Sequence, residues 1–297
     1  MKIGTAEANS TFLTQGQALK TIFEKAGVSG PVEVLQSLSA SIENAQRIGS
    51  GELDFGFMAA NWIGRALRGE PPFVAPIALR MVAPMNRGPM YFIVRSDSAI
   101  ATVADLRGKR VAVGPATSGS AQHALSIFGA LGFGFGDMQP EWFDFPTGGE
   151  ALARGEVDAQ LQCPIPNPVM TDLDARYDFR VLPYAPGDLE TVMAKHSIYR
   201  RTVMRKGALR AVTQDVAQPG VTNVLVCHER QAAANVEAVV RAIVSGAAEL
   251  GRLNPLFAGI AELWAPLRRA GAKALEFEGV PLHEGAQAGY RAAGVLA

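Results

Sequence analysis

Short apolar runs and amphipathic stretches alternate along the chain, and their periods differ. Residues 32–35 and 53–58 are runs of β-prone residues, whereas residues 41–51 carry apolar side chains at helical spacing and end at a glycine. The order strand, helix, strand is typical of a βαβ unit. The first part of the chain is therefore predicted to form a mainly parallel α/β sheet.

The same pattern returns after residue 90. Strands are predicted at 90–95, 108–114 and 157–162, and helices at 102–106, 120–131 and 150–155. Residues 51–56 resemble residues 155–160, because each segment contains a helix stop, an acidic turn and a buried strand. A late strand at 222–227 precedes a helix over 231–250. The similarity of the two halves indicates two similar α/β lobes rather than a tandem repeat array.

Two extended segments, 90–95 and 222–227, are expected to carry the chain from the first lobe to the second and back. The first lobe then comprises residues 1–92 and 223–297, and the second comprises residues 93–222. A chain of 297 residues is long for one domain and comfortable for two. Hydrophobic residues make up 48% and charged residues 19%, which suits a folded core.

The charge balance bears on the class of partner. Lys plus Arg number 28 and Asp plus Glu number 28, so no net field draws the chain to nucleic acid or to an anionic membrane. No segment has the apolar length of a spanning helix, and Met1 leads into Ile3 without the apolar stretch of a signal peptide. We expect a periplasmic protein if a leader was removed, and a cytoplasmic one if the chain is native at full length.

Motifs of catalysis and metal binding are missing from the sequence. It contains no GxSxG, HExxH or GxxxxGK[ST] motif, and its four histidines are not spaced as metal ligands. Cys163 and Cys227 lie far apart, which favours two free thiols and leaves a single disulfide open. We therefore predict a protein that is not an enzyme and that holds neither a metal nor a cofactor.

Hydroxyl-rich segments open two of the predicted helices. The first contains Ser41 and Asn44, and the second contains Thr117, Ser118 and Ser120 directly after a strand. Free N–H groups and the positive end of the helix dipole favour an anion at such a place. The carboxyl edge of a parallel sheet is also where open α/β folds bind ligands. Capping of the helices by the same residues is the alternative interpretation.

Three further loops offer candidate binding residues. The loop after the first strand supplies Thr5, Asn9, Ser10 and Thr11, although an ordinary βα loop has the same composition. Asn61 follows the strand at 53–58, and Pro166 lies in a stiff proline-rich loop after the strand at 157–162. Both positions fall at a predicted carboxyl edge.

Several blocks of the sequence resemble one known family. They are residues 3–5, 41–44, 51–57, 95–98, 105–114, 118–120, 166–168 and 281–286, together with 290–291 and 293–294. On these blocks the chain resembles the TAXI-type solute receptors of tripartite ATP-independent periplasmic (TRAP) transporters. More distantly, it is similar to the type II periplasmic binding proteins.

The resemblance implies a fold and a function. The fold would be two Rossmann-like α/β lobes joined by paired hinge strands, with a ligand cleft between them. The ligand would be a small carboxylate or amino acid, and the closed form would be read by membrane permease subunits of a TRAP transporter. Gln160 and Gln162 stand where apolar or aromatic residues are common in the family, which indicates a more polar pocket or a different ligand. A cytoplasmic ligand sensor or an enzyme on the same fold is the alternative.

Overall fold

The computed structural model describes residues 1–6, 10–28, 30–116, 118–162, 165–196, 198–210 and 212–297. The strands are β1 (Lys2–Gly4), β2 (Glu33–Leu35), β3 (Phe55–Ala59), β4 (Leu79–Pro89), β5 (Tyr91–Arg95), β6 (Arg110–Ala112), β7 (Gln139–Glu141), β8 (Ala159–Gln162), β9 (Phe179–Val181), β10 (Tyr199–Met204) and β11 (Val216–His228). The α-helices are α1 (Thr11–Lys25), α2 (Ser41–Ser50), α3 (Ala60–Arg68), α4 (Gly119–Ala130), α5 (Phe145–Arg154), α6 (Pro168–Arg176), α7 (Asp188–Lys195), α8 (Ala233–Ser245), α9 (Ala247–Leu253), α10 (Ile260–Trp264), α11 (Leu267–Ala270) and α12 (Glu284–Ala292).

The chain divides into two units that interrupt each other in sequence. Unit 1 consists of Met1–Arg87 and Thr222–Ala297, and unit 2 consists of Gly88–Val221. The chain passes from unit 1 to unit 2 within β4 and returns within β11, and these two strands pair with each other. Strand 90–95, expected to carry the chain between lobes, lies in unit 2 as β5.

The sheet of unit 1 is parallel at its centre. β1 pairs in parallel with β2 on one side and with β3 on the other, and the second half of β11 runs antiparallel to β3. The chain therefore leaves β1 towards β2, through α1, and leaves β3 in the opposite direction, through α3. This reversal makes the carboxyl ends of β1 and β3 a topological switch point, the place where open α/β sheets form a crevice for ligands.

Unit 2 repeats this arrangement with different strands. Its sheet has the order β7-β6-β8-β5-β9, with β6 parallel to β7 and β8, and β5 antiparallel to β8 and β9. The chain leaves β6 through α4 to one side and leaves β8 through α6 to the other, so the switch point lies between β6 and β8. The predicted α/β class with two sheets is confirmed, although each sheet also contains antiparallel strands.

Helix ends follow local sequence where a cap residue is present. Helix α2 ends at Gly51, whose φ of 83° is left-handed as a C-terminal glycine requires, and Ser118 caps α4. Two helix predictions were wrong in extent. Helix α5 begins at Phe145 rather than at 150, because Asp144 caps its first turn. The helix expected over 231–250 is two helices that meet at Gly246.

The apolar core of each unit lies between its sheet and the helices that cover it. In unit 1 the largest buried side chains include Phe23, Phe57 and Tyr290, and Cys227 is a buried free thiol on β11. In unit 2 they include Phe92 and Phe128, whose rings stack at 5.2 Å between centroids. No helix in the described ranges is both long and apolar enough to cross a bilayer.

Candidate functional site

The carboxyl ends of β1 and β3 are tied together by one buried amide. Asn44 on α2 donates both of its amide hydrogens to backbone carbonyls, at 2.7 Å to Thr5 O and 2.9 Å to Phe57 O. Its Oδ1 lies 3.0 Å from the Ser37 hydroxyl. A Cβ atom at Gly4 would lie 2.4 Å from this Oδ1, so only glycine leaves room for the amide. Asn44 therefore braces the edge, and its two donors are already in use.

Other sequence-predicted residues of unit 1 also bond to the protein itself. The Thr5 hydroxyl donates to Leu35 O at 2.8 Å, and Ser10 caps α1 by accepting from Leu13 N at 3.1 Å. The Ser41 hydroxyl oxygen accepts from Ala59 N at 3.0 Å. These side chains shape the edge, and the Ser41 hydroxyl proton has no acceptor among the described residues.

The N-terminus of α2 already carries a carboxylate of its own. Glu43 in its first turn accepts hydrogen bonds from Leu38 N at 2.8 Å and from Ser39 N at 3.4 Å. The first turns of α1, α3 and α4 contain no acidic residue. Because the Glu43 carboxylate already places a negative charge at the start of α2, α2 is less suited to an anion than these three helices.

Two predicted residues of unit 1 keep polar atoms without a partner in the described part of the chain. Asn61, in the first turn of α3, has a buried Oδ1 that accepts no hydrogen bond. Thr11, the first residue of α1, is half-buried, and no described group bonds its hydroxyl. Asn9 lies outside the described residues. Thr11 and Asn61 therefore keep side-chain hydrogen-bonding groups that the described part of the fold does not use.

An amide cluster near the unit boundary was missed by sequence reasoning. Gln15 on α1 and Asn223 on β11 each donate to Oδ1 of Asn86 on β4, both at 3.2 Å, and all three side chains are buried. Arg87 and Thr222, the next residues along β4 and β11, are joined at 3.2 Å. The available signal was Gln15, a polar residue on the apolar face of α1.

In unit 2, the turn from β6 into α4 is tightly packed. Gly114 has a φ of 97°, and a Cβ atom there would lie 2.7 Å from Ser120 Cβ and 2.8 Å from Ser118 Oγ. Ser118 caps the helix by accepting from Ala121 N at 3.2 Å. Ser120 is half-buried in the first turn, and its hydroxyl bonds to no described residue. Thr117 falls outside the described residues.

The end of β8 carries two buried glutamines. Gln160 donates to Phe145 O at 2.8 Å, and Gln162 donates to the Gln160 side-chain oxygen at 3.0 Å. Pro166, further along, is exposed, and Asn167 after it caps α6 by accepting from Met170 N at 2.8 Å. The glutamines, not the proline loop, therefore supply the buried polar atoms at this strand end.

The buried side of α4 is uncharged near neutral pH. Burial lowers the pKa of His123 to about 4, and its Nδ1 lies 2.9 Å from the Tyr199 hydroxyl. Burial also raises the pKa of that tyrosine. Within the described ranges, no group of three His, Cys, Asp or Glu side chains could hold a metal ion. Because α4 has no other titratable residue, it contributes only its N–H groups and its dipole to the electrostatics of this edge.

Solved structures share this fold at low identity. The periplasmic aliphatic sulphonate-binding protein SsuA from Escherichia coli is 18% identical, with 88% of this chain and 82% of that chain covered and a TM-score of 0.51. A TctC solute-binding protein from Polaromonas is 14% identical, with 88% and 86% covered and a TM-score of 0.56. The BenM effector-binding domain is 11% identical, with 84% and 93% covered and a TM-score of 0.51.

The fold is that of the type II periplasmic solute-binding proteins, as the sequence resemblance implied. Residues 3–294 match the NMT1-like family, and the chain belongs to that family. Neither the family match nor the solved structures assign the chain to the TAXI subtype. The BenM domain shows that an effector-binding domain can have the same fold, so the fold alone does not separate transport from sensing.

Proposed function

We propose that this protein is a non-enzymatic solute receptor that captures a small organic acid and presents it to a membrane transporter. Following the sequence resemblance, the transporter would be of the TRAP type, with the receptor in the periplasm and its permease subunits as partners. The proposal needs no cofactor, metal or nucleic acid. The observation that supports it is the start of α4, which follows β6 at the switch point of unit 2 and has no acidic residue in its first turn.

The chemistry of that site favours an acid group. The first N–H groups of a helix have no partner within the helix, and the dipole adds about 0.3–1 kcal/mol for an anion there, or up to ~2 kcal/mol when it is partly buried. No acidic residue of the first turn competes, and the Ser120 hydroxyl adds a donor. Gly114 lets the strand end approach this turn closely.

The fold relatives support an anionic ligand. SsuA is named for binding aliphatic sulphonates, and the BenM domain was solved with benzoate. Sulphonates and carboxylates both place oxygen atoms that accept hydrogen bonds from N–H and O–H groups. Both chemical classes therefore belong in a ligand screen of this protein.

A ligand sensor is the second candidate, because the BenM effector-binding domain has the same fold. The two functions predict different locations in the native cell. A transport receptor would be recovered in the periplasmic fraction, whereas a sensor would stay in the cytoplasm. Fractionation of the native cells, followed by immunoblotting, distinguishes them.

The proposed function is tested by thermal unfolding of ligand-stripped protein against carboxylates, sulphonates, amino acids and neutral sugars. A ligand at a thousand times its Kd adds about 4 kcal/mol, which raises the Tm by several degrees. We expect acids to raise the Tm and neutral sugars to leave it unchanged. No shift with any acid would contradict the proposal.

The position of the site is tested by a serine substitution. Ser120→Ala should weaken binding of the best acid by about 1–3 kcal/mol, because a hydroxyl bonded to a buried anion is lost. Ser50→Ala, an exposed serine at the end of α2, is the matched control and should leave affinity unchanged. Equal affinity in wild type and Ser120→Ala would move the site away from α4.

A further inference from the structure

The two glutamines of β8 form a hydrogen-bond chain with a fixed direction. The Phe145 carbonyl can only accept, so Gln160 must turn its Nε2 towards it. The Gln160 Oε1 then faces Gln162, which must donate with its own Nε2. The orientation of both amides is therefore set by one backbone atom, and Oε1 of Gln162 is the free end of the chain.

That free end is buried and unsatisfied. Gln162 is 0% exposed, and its Oε1 accepts no hydrogen bond from any described residue. A buried acceptor without a donor destabilises a folded protein, and an apolar side chain of similar shape would avoid the loss. The atom therefore needs a donor that the described residues do not supply.

The fold itself does not require a glutamine at this position. When residues 51–58 are aligned with residues 155–162, Met58 of β3 corresponds to Gln162. Met58 is fully buried. A side chain of the same length without polar atoms thus fills the equivalent place in unit 1.

Gln160, in contrast, has a structural explanation. In unit 1 the brace comes from Asn44, the fourth residue of α2, and it packs over Gly56 of β3. In unit 2 the fourth residue of α5 is Gly148, and the strand position aligned with Gly56 is Gln160. A Cβ atom at Gly148 would lie 2.6 Å from Gln160 Nε2. The amide brace has moved from helix to strand, which accounts for Gln160 but leaves Gln162 unexplained.

Gln162 lies at the switch point that the proposed function uses. It is the last residue of β8, and β8 pairs in parallel with β6, the strand that leads into α4. We propose that Gln162 Oε1 accepts a hydrogen bond from the bound solute, so the ligand is an acid that also carries an N–H or O–H donor, such as an amino or hydroxy acid. This inference rests on the proposed function and narrows its substrate class.

The test compares acids that differ by one donor group, a neutral hydroxyl in one pair and a charged ammonium in the other two. Suitable pairs are lactate and propionate, β-alanine and propionate, and taurine and ethanesulphonate, with each Kd measured by calorimetry on ligand-stripped protein. In at least one pair we expect the donor-bearing acid to bind ten-fold or more tightly. Gln162→Met, which reproduces the methionine that unit 1 has at the equivalent position, should bring the members of that pair to within about two-fold of each other.

Two controls separate ligand recognition from folding. Gln218→Met removes another buried glutamine of unit 2, which donates to Leu182 O at 3.0 Å and also has an unpartnered Oε1, and it should keep the preference. The double variant Gln160→Met with Gln162→Met removes both members of the chain. It should melt below wild type without ligand, because the Phe145 carbonyl loses its donor, and it should also lose the preference.

The outcomes separate this inference from the proposed function. If acids bind but both members of every pair bind equally in wild type, the inference is wrong and the receptor function stands. A preference that survives in Gln162→Met, or that Gln218→Met abolishes instead, also overturns it. If no acid of the panel binds at all, the proposed function fails and the inference fails with it.

Discussion

Asn44 is predicted to stabilise the protein rather than to bind the solute directly. Asn44→Ala leaves the carbonyls of Thr5 and Phe57 without this donor, so we expect a loss of about 2–4 kcal/mol in the free energy of unfolding. Urea denaturation of ligand-free protein measures it. Gln46→Ala, an exposed position on the same helix, is the control and should change stability by less than about 0.5 kcal/mol. An unchanged midpoint for Asn44→Ala would contradict the brace.

The sequence predicts which polar residues lie at the strand ends, but not which of their side-chain atoms are left without a hydrogen-bond partner in the fold. Thr5, Ser41 and Asn44 are predicted binding residues because they lie in a polar βα loop and at a helix start, yet the fold uses those side chains on its own backbone. Which carbonyl lies within reach depends on the pairing of strands far apart in sequence. Gln162 shows the reverse case, because its free oxygen follows from a bond made by its neighbour Gln160.

At the scale of elements, the turn from β6 to α4 is predicted to tolerate no side chain at Gly114. Gly114→Ala would combine a left-handed backbone with a collision against Ser118 and Ser120, so we expect a loss of about 2–5 kcal/mol in stability and weaker binding of the acid. Urea denaturation and calorimetry measure the two effects.

Gly132, after α4, provides the matched control for that substitution. Its φ of 82° is also left-handed, but a Cβ atom there would meet nothing within 4 Å. Gly132→Ala should therefore cost only about 1 kcal/mol and leave affinity unchanged. Equal losses in the two variants would mean that backbone strain alone, and not the packing of the turn, governs Gly114.

The elements that sequence predicted well are those with local signals. Helix α2 was placed within a residue of its observed ends, because its apolar period and Gly51 both lie in the segment itself. Strand β4 was missed, because Asn86, Arg87 and Gly88 interrupt its apolar pattern. What makes it a strand is pairing with β11, more than a hundred residues away, and no local pattern records that partner.

At the scale of the whole molecule, the two units have the same sheet arrangement but place the bracing amide on different elements. Each has a parallel three-strand centre, a switch point and an amide brace beside it: Asn44 bonds to the ends of β1 and β3, and Gln160 ties β8 to the start of α5. Unit 1 places a glycine on the strand and the amide on the helix, whereas unit 2 places the glycine on the helix and the amide on the strand. In unit 2 the same strand also carries Gln162, a second amide beyond the brace, whose Oε1 accepts no hydrogen bond from the described residues.

The paired strands β4 and β11 predict that the two units unfold together, because each strand contributes residues to both units.

Alkylation of Cys227 on β11 measures how often unit 1 unfolds. It is fully buried, and burial raises the pKa of its thiol to about 12, so alkylation of native protein requires unfolding. In a Cys163→Ser background, the best acid at a hundred times its Kd stabilises the fold by about 2.7 kcal/mol and should slow labelling by iodoacetamide about a hundred-fold. Protein unfolded in urea is the control, and its labelling rate should not depend on the acid. If the acid leaves the labelling rate of native protein unchanged, unit 1 unfolds without unit 2. The strands shared by the two units then do not couple their stabilities.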